Sequence, residues 1–135
     1  MIRVEHIGIA VKDLKQVNAL YRKLFDRPAY KSEKVESEQV ETSFFEIGGT
    51  KIEFLEASGQ DSAIARFIEK KGEGIHHLAF EVDDLIAEMS RLRAEGFQLI
   101  NDEPKRGADN KLVCFIHPRS TQGVLVELCQ EIKES

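Results

Sequence analysis

Gly74-Ile75-His76-His77-Leu78-Ala79-Phe80-Glu81-Val82-Asp83-Asp84-Leu85 decides the fold, because the chain begins with a near-copy, Val4-Glu5-His6-Ile7-Gly8-Ile9-Ala10-Val11-Lys12-Asp13-Leu14. With His77 laid on His6, an offset of 77 − 6 = 71, Val82 falls on Val11, Asp84 on Asp13 and Leu85 on Leu14. Each copy alternates as a strand does, carries a histidine, and meets an aspartate placed to cap a helix.

Outward from the first copy, Ile7, Ile9 and Val11 form a face that can pack on a helix. His6, Gly8 and Ala10 form the other, one imidazole among small residues, as suits a lined cavity. Asp13 with Gln16 at N3 opens a helix whose stripe is Leu14, Val17, Leu20, Tyr21 and Leu24, stopped by Pro28. Ala29 to Lys31 reads as a short strand and Ser32 to Gln39 as a loop. Val40 to Ile47 and Lys51 to Glu56 make a hairpin about Gly48-Gly49, with Glu53 and Leu55 facing away from Ile52 and Phe54. Asp61 or Ser62 starts a short helix bearing Ile64, Phe67 and Ile68, closed by Gly72 and Gly74.

The second copy starts the same order again. Its strand sets His77, Ala79 and Glu81 against Leu78, Phe80 and Val82. Asp84 caps a helix with the stripe Leu85, Met89 and Leu92, ended at Gly96. A short strand at Phe97 to Ile100, a loop from Asn101 to Asn110, and a hairpin of Lys111 to Ile116 with Val124 to Gln130 follow. Glu131 to Ser135 is a charged tail expected to fray. At an offset of 127 − 53 = 74, Glu127 falls on Glu53, Gly123 on Gly49 and Val126 on Ile52. The pattern is βαβββ twice. It predicts an α+β fold in which paired modules form an open, barrel-like mixed sheet with helices outside. The 135 residues form one domain of two repeats, 1–58 and 74–131, joined by a short helical linker.

Hydrophobic residues at 41% and charged residues at 32% are those of a soluble globular protein. No apolar run reaches the roughly 20 residues of a membrane span, and the first residues do not read as a signal peptide. Cys114 and Cys129 sit in apolar strand-like runs, outside any metal or redox spacing, so they read as reduced core thiols of a cytoplasmic protein. A net charge of −5 argues against nucleic acid as a partner. A small anion remains open to a local basic group, Lys105, Arg106, Lys111 and Arg119.

The repeated polar positions are His6, Glu53, His77 and Glu127. Glu127 stands in the most apolar strand of the chain, where a carboxylate costs several kcal/mol unless paired, hydrogen-bonded or metal-bound. Two imidazoles and two carboxylates on the faces opposite the core make a donor set for one divalent ion such as Zn, Ni, Co, Mn or Fe(II). His76 shares the parity of Leu78 and Phe80 and reads as structural, and His117 as a turn residue.

These residues resemble the vicinal oxygen chelate superfamily, and within it the methylmalonyl-CoA epimerases. The likeness runs nearly end to end. It is carried by Glu5 to Val11, Gly49 to Glu56, Gly72 to Phe80, Asp102-Glu103-Pro104-Lys105, and His117-Pro118-Arg119-Ser120 leading into Gly123 to Leu128. The resemblance implies that His6, His77 and Glu127 bind one divalent metal (Co, Zn, Mn or Ni), with Glu53 completing the set. It implies Glu127 as an acid/base group, an acyl-CoA thioester as substrate, Lys105, Arg119 and Ser120 on the substrate, and a homodimer. The implied reaction is epimerisation of a 2-substituted malonyl-CoA by removal of its α-proton. Two departures stand out: Gly107-Ala108-Asp109-Asn110 replaces the family's usual Gly-Ala-His-Gly, and a second acid/base glutamate found in some members falls on Thr42, one residue from Glu41. A glyoxalase I-type lyase would use the same four positions. An extradiol-type dioxygenase and a metal-free small-molecule binding protein complete the alternatives.

Overall fold

The computed structural model describes residues 1–133, which divide into two compact units: residues 6–76, and residues from 77 onward together with 1–5.

The first unit contains β1 (Arg3–Val11) from His6 on, α1 (Leu14–Phe25), β2 (Lys31–Val35), β3 (Val40–Ile47), β4 (Thr50–Ala57) and α2 (Ala63–Lys71). Its strands lie in the order β2-β3-β4-β1, with β4 and β1 parallel and the other pairs antiparallel. Asp13 caps α1 as expected, accepting from the Gln16 N–H at 3.1 Å. Glu56 reinforces it from β4 by accepting from the Leu14 N–H at 2.7 Å. The helix ends earlier than Pro28, at Asp26, which takes the left-handed conformation. Gly48 and Gly49 both have positive φ, the backbone a two-residue hairpin turn requires.

The expected loop at Ser32 to Gln39 is instead β2 followed by a 3₁₀ turn. β2 pairs with β3 through Lys31↔Phe44 and Glu33↔Thr42. An edge strand needs partners on one side only, so its half-exposed side chains carry no apolar alternation. Ala29 and Tyr30 fall outside it.

Both sheet faces of this unit are covered. Val11, Leu14, Phe45 and Phe54 pack with Val17, Tyr21 and Phe25 under α1, the rings of Phe45 and Phe54 edge to face at 5.9 Å. Ala10, Val40, Leu55 and Ile64 pack with Phe67 under α2. The face that carries His6 is therefore closed over Ala10 and Leu55.

The second unit contains β5 (Gly74–Glu81) from His77 on, α3 (Leu85–Ala94), β6 (Lys105–Arg106), β7 (Lys111–Ile116) and β8 (Val126–Glu131), in the order β5-β8-β7-β6. β5 and β8 are parallel. Asp84 caps α3 by accepting from Ala87 N–H at 3.1 Å, and Gln130 accepts from Leu85 N–H at 2.7 Å. Leu85, Met89 and Leu92 bury against Cys114, Ile116 and Leu128. Residues 1–5 add to this unit: Ile2 N–H donates to the Glu81 carbonyl at 2.8 Å, and the Arg3 guanidinium lies 3.0 Å from the Glu81 carboxylate.

The strand expected at Phe97 to Ile100 shrinks to one bridge, Leu99↔Ile116, while the expected loop after it holds the two-residue β6. β8 begins two residues later than expected and takes in Glu131, which salt-bridges the buried Lys111 at 3.9 Å. Of the tail expected to fray, residues 134–135 lie outside the described residues. Among the described residues no helix is long and apolar enough to cross a membrane.

Candidate active site

Parallel pairing in each unit sets one histidine and one glutamate on a diagonal. In the first unit Gly8 is the register partner of Glu53, and His6 stands two residues before Gly8. In the second, Ala79 partners Glu127 and His77 stands two residues before Ala79. His6 Nε2 lies 3.4 Å from Glu53 Oε1, and His77 Nε2 lies 3.2 Å from Glu127 Oε1. All four residues are buried, between 3% and 6% exposed. An imidazole and a carboxylate this close, taken out of water, can share a proton or ligate one cation; either offsets the cost of burying the charge.

The match extends further than the sequence reading reached. Phe44 is the register partner of Glu53, and Phe115 that of Glu127. Lys31 Nζ lies 5.5 Å from the centroid of the Phe44 ring, and Lys105 Nζ lies 5.7 Å from that of Phe115. Each unit thus repeats histidine, glutamate, phenylalanine and lysine. Lys105 was singled out by its motif; Lys31, Phe44 and Phe115 were missed. The offset of the two histidine strands would have paired the rings, since 115 − 44 = 71, but not the lysines: Lys31 stands across from Phe44, whereas Lys105 stands across from Val113.

The surroundings differ. Around the second pair, the His77 ring meets Phe115 edge-on at 5.9 Å, and Ala79, Val113 and Cys129 are buried together. Burial pushes the Cys129 thiol well above its ordinary range, and the charges of Glu127 and Glu5 push it further. Around the first pair the sheet face is more polar. Lys31 Nζ lies 3.5 Å from Glu33 Oε1, and the buried Thr42 hydroxyl donates to the Glu33 carbonyl at 3.2 Å.

Other candidates sort as follows. His76 packs edge-on against Phe67 at 4.9 Å, a structural place in agreement with its parity. His117 Nδ1 accepts from the Arg119 N–H and so holds the turn before β8. Ser120 Oγ accepts from the Gln98 N–H at 2.9 Å, and Arg119 is exposed. Lys111 leaves the group of phosphate candidates, since it is 5% exposed and set against Glu131. Glu41 pairs in register with Glu56, one residue out of step with Glu53, and therefore lies on the opposite sheet face.

Comparison with known proteins agrees with this architecture. Residues 5–115 match the family model described as Glyoxalase/Bleomycin resistance protein/Dioxygenase superfamily. The uncharacterized protein YqjC of Bacillus subtilis is 41% identical, over 96% of this chain and 93% of that one. The ethylmalonyl-CoA/methylmalonyl-CoA epimerase of Cereibacter sphaeroides is 39% identical, over 95% of this chain and 97% of its own. A Streptomyces coelicolor methylmalonyl-CoA epimerase variant, solved in complex with 2-nitronate-propionyl-CoA, superposes with a TM-score of 0.94 at 32% identity, covering 98% of this chain and 99% of that chain.

Proposed function

This chain belongs to the Glyoxalase/Bleomycin resistance protein/Dioxygenase superfamily, and from that membership we propose that it is an epimerase of 2-substituted malonyl-CoA, methylmalonyl-CoA foremost. One observation carries the reading: a buried imidazole against a buried carboxylate, built twice on the same diagonal, in a chain aligned along nearly its whole length with an epimerase of that substrate class.

His6, Glu53, His77 and Glu127 are the ligand set for one divalent ion, from among Co, Zn, Mn and Ni. The residues fit such an ion, because two imidazoles and two carboxylates are donors these metals accept, and buried carboxylates favour a cation. When bound, the ion supplies Lewis acidity to the oxygens of a thioester and its neighbouring carboxylate. The chain's own residues do the rest. Glu127 takes the C2 proton, leaving the electron pair delocalised as an enolate, and its apolar neighbours Ala79 and Cys129 keep bulk water from protonating the intermediate at random. Lys105, with its ammonium over the ring opposite Glu127, attracts an anionic group of the substrate. Arg119 reaches into solvent for the CoA phosphates, and Ser120, whose oxygen already accepts from Gln98, keeps its own proton to donate.

The protein works as a cytoplasmic homodimer, which the resemblance supports and light scattering of the purified protein tests. For the reaction, the protein is incubated in deuterated water with methylmalonyl-CoA and, separately, with the glutathione hemithioacetal of methylglyoxal. Deuterium at C2 and interconversion of the CoA epimers are expected. Turnover of the glutathione adduct alone would replace the epimerase with a glyoxalase I-type lyase. Metal analysis after reconstitution is expected to give about one ion per chain; a value near zero would favour a binding protein of the same fold.

A further inference from the structure

Epimerisation needs a proton removed from one face of C2 and another delivered to the opposite face. Glu127 can serve one face only. On the sheet face that carries Glu53, the first unit offers three carboxylates, read from register and alternation: Glu33 on β2, Glu46 on β3 and Glu53 on β4. Glu53 lies against His6 in the ligand set. Glu46 is exposed beside the hairpin tip, in register with Lys51. We infer that Glu33 is the second proton-transfer group, held in place by Lys31; the inference rests on the epimerase reading above.

Three observations converge on it. Glu33 stands directly across from the buried Thr42, whose hydroxyl donates to the Glu33 carbonyl at 3.2 Å, so its backbone is fixed beside this patch of sheet. Two strand spacings and two residues along separate Glu33 from Glu53, roughly 12 Å between Cα atoms, which leaves room for a small acyl group between Glu33 and the ligand Glu53. The Lys31 ammonium, seated over the Phe44 ring, lies 3.5 Å from the Glu33 carboxylate and keeps it aimed along this face. The second unit breaks the repeat at this point. There Lys105 takes the register place of Glu33: Val113, which an offset of 113 − 42 = 71 lays on Thr42, has Lys105 across from it where Thr42 has Glu33. The fold therefore supplies the lysine twice and this carboxylate once.

In one turnover a carboxylate takes the C2 proton, and the C–H electron pair moves into the enolate. The acid form of the other carboxylate then protonates C2 from the opposite face, and the enolate pair restores the carbonyl. One glutamate ends protonated and the other ionised, and exchange with solvent resets both. The test uses each C2 epimer of methylmalonyl-CoA separately in deuterated water. Glu33→Gln is isosteric on a half-exposed edge strand. It is expected to leave exchange from one epimer within about threefold of wild type, and to slow exchange from the other, and interconversion, by roughly 100-fold or more. Lys31→Met is expected to slow the same epimer through kcat with KM within about twofold, while Glu41→Gln leaves both epimers unchanged. Equal effects of Glu33→Gln on both epimers, or none on either, overturn the assignment; a Lys31→Met change confined to KM overturns the holding role. Wild-type protein that exchanges neither epimer overturns the epimerase reading and this assignment with it.

Discussion

The two units bury the same imidazole and carboxylate on the same diagonal, yet enclose them differently. In the second unit the pair sits among Ala79, Val113, Cys129 and the Phe115 ring. In the first, the neighbouring strands bring Thr42, Lys31 and Glu33 onto the same face. The second pair's nearest neighbours are apolar, with the Lys105 ammonium beyond the Phe115 ring, whereas the face around the first pair also carries a hydroxyl and a further carboxylate. The two pairs are alike in geometry, and the function proposed above gives them different work.

Substitutions at the carboxylates should break this comparison most severely. Glu127→Gln is expected to lower kcat by roughly 10³-fold or more, since it removes a ligand charge and a base together. Glu53→Gln keeps a neutral oxygen donor and is expected to cost about 10- to 100-fold, mainly through weaker metal binding. Comparable losses from both would show that the surroundings do not divide the labour.

A smaller effect tests whether the two pairs act on one ion. Adding the metal at about 100 times its dissociation constant should stabilise the wild type by roughly 2.7 kcal/mol, read as a rise in Tm. Both His6→Ala and His77→Ala should abolish most of that rise. If His6→Ala keeps it in full, the ion belongs to the second pair alone.

The smallest effect lies at the helix starts. Asp13→Ala and Asp84→Ala each remove a capping carboxylate, worth about 1 kcal/mol. At α1 the Glu56 carboxylate still faces the first turn, while at α3 the partner is the neutral Gln130 amide. Since α3 also keeps a carboxylate, Glu88 in its first turn, the two substitutions should cost the same in chemical unfolding to within a few tenths of a kcal/mol.

How much of this was legible follows from what each signal depends on. The duplication, both caps and the parity of His6, Glu53, His77 and Glu127 could be read because they rest on local periodicity. β2 could not, because an edge strand hides its alternation among exposed polar residues. Phe97 to Ile100 read as a strand from its composition, but only Leu99 forms a bridge. The offset of 71 could have paired Phe44 with Phe115, but the place of each ring beside its glutamate, and that of Lys31, needed strand register, a relation between distant residues that no single stretch encodes. Glu33 was invisible for the same reason: its place is defined by Thr42 across the ladder.

The changeover inside β1 has a practical corollary. Its first residues bond to Glu81, so an amino-terminal deletion ending before His6 would strip contacts from the carboxy-terminal body and leave the one encoded next to it intact. Expressing the two sequence halves as separate polypeptides would cut the molecule in the wrong place. A cut that respects the architecture would carry the opening pentapeptide along with the later half.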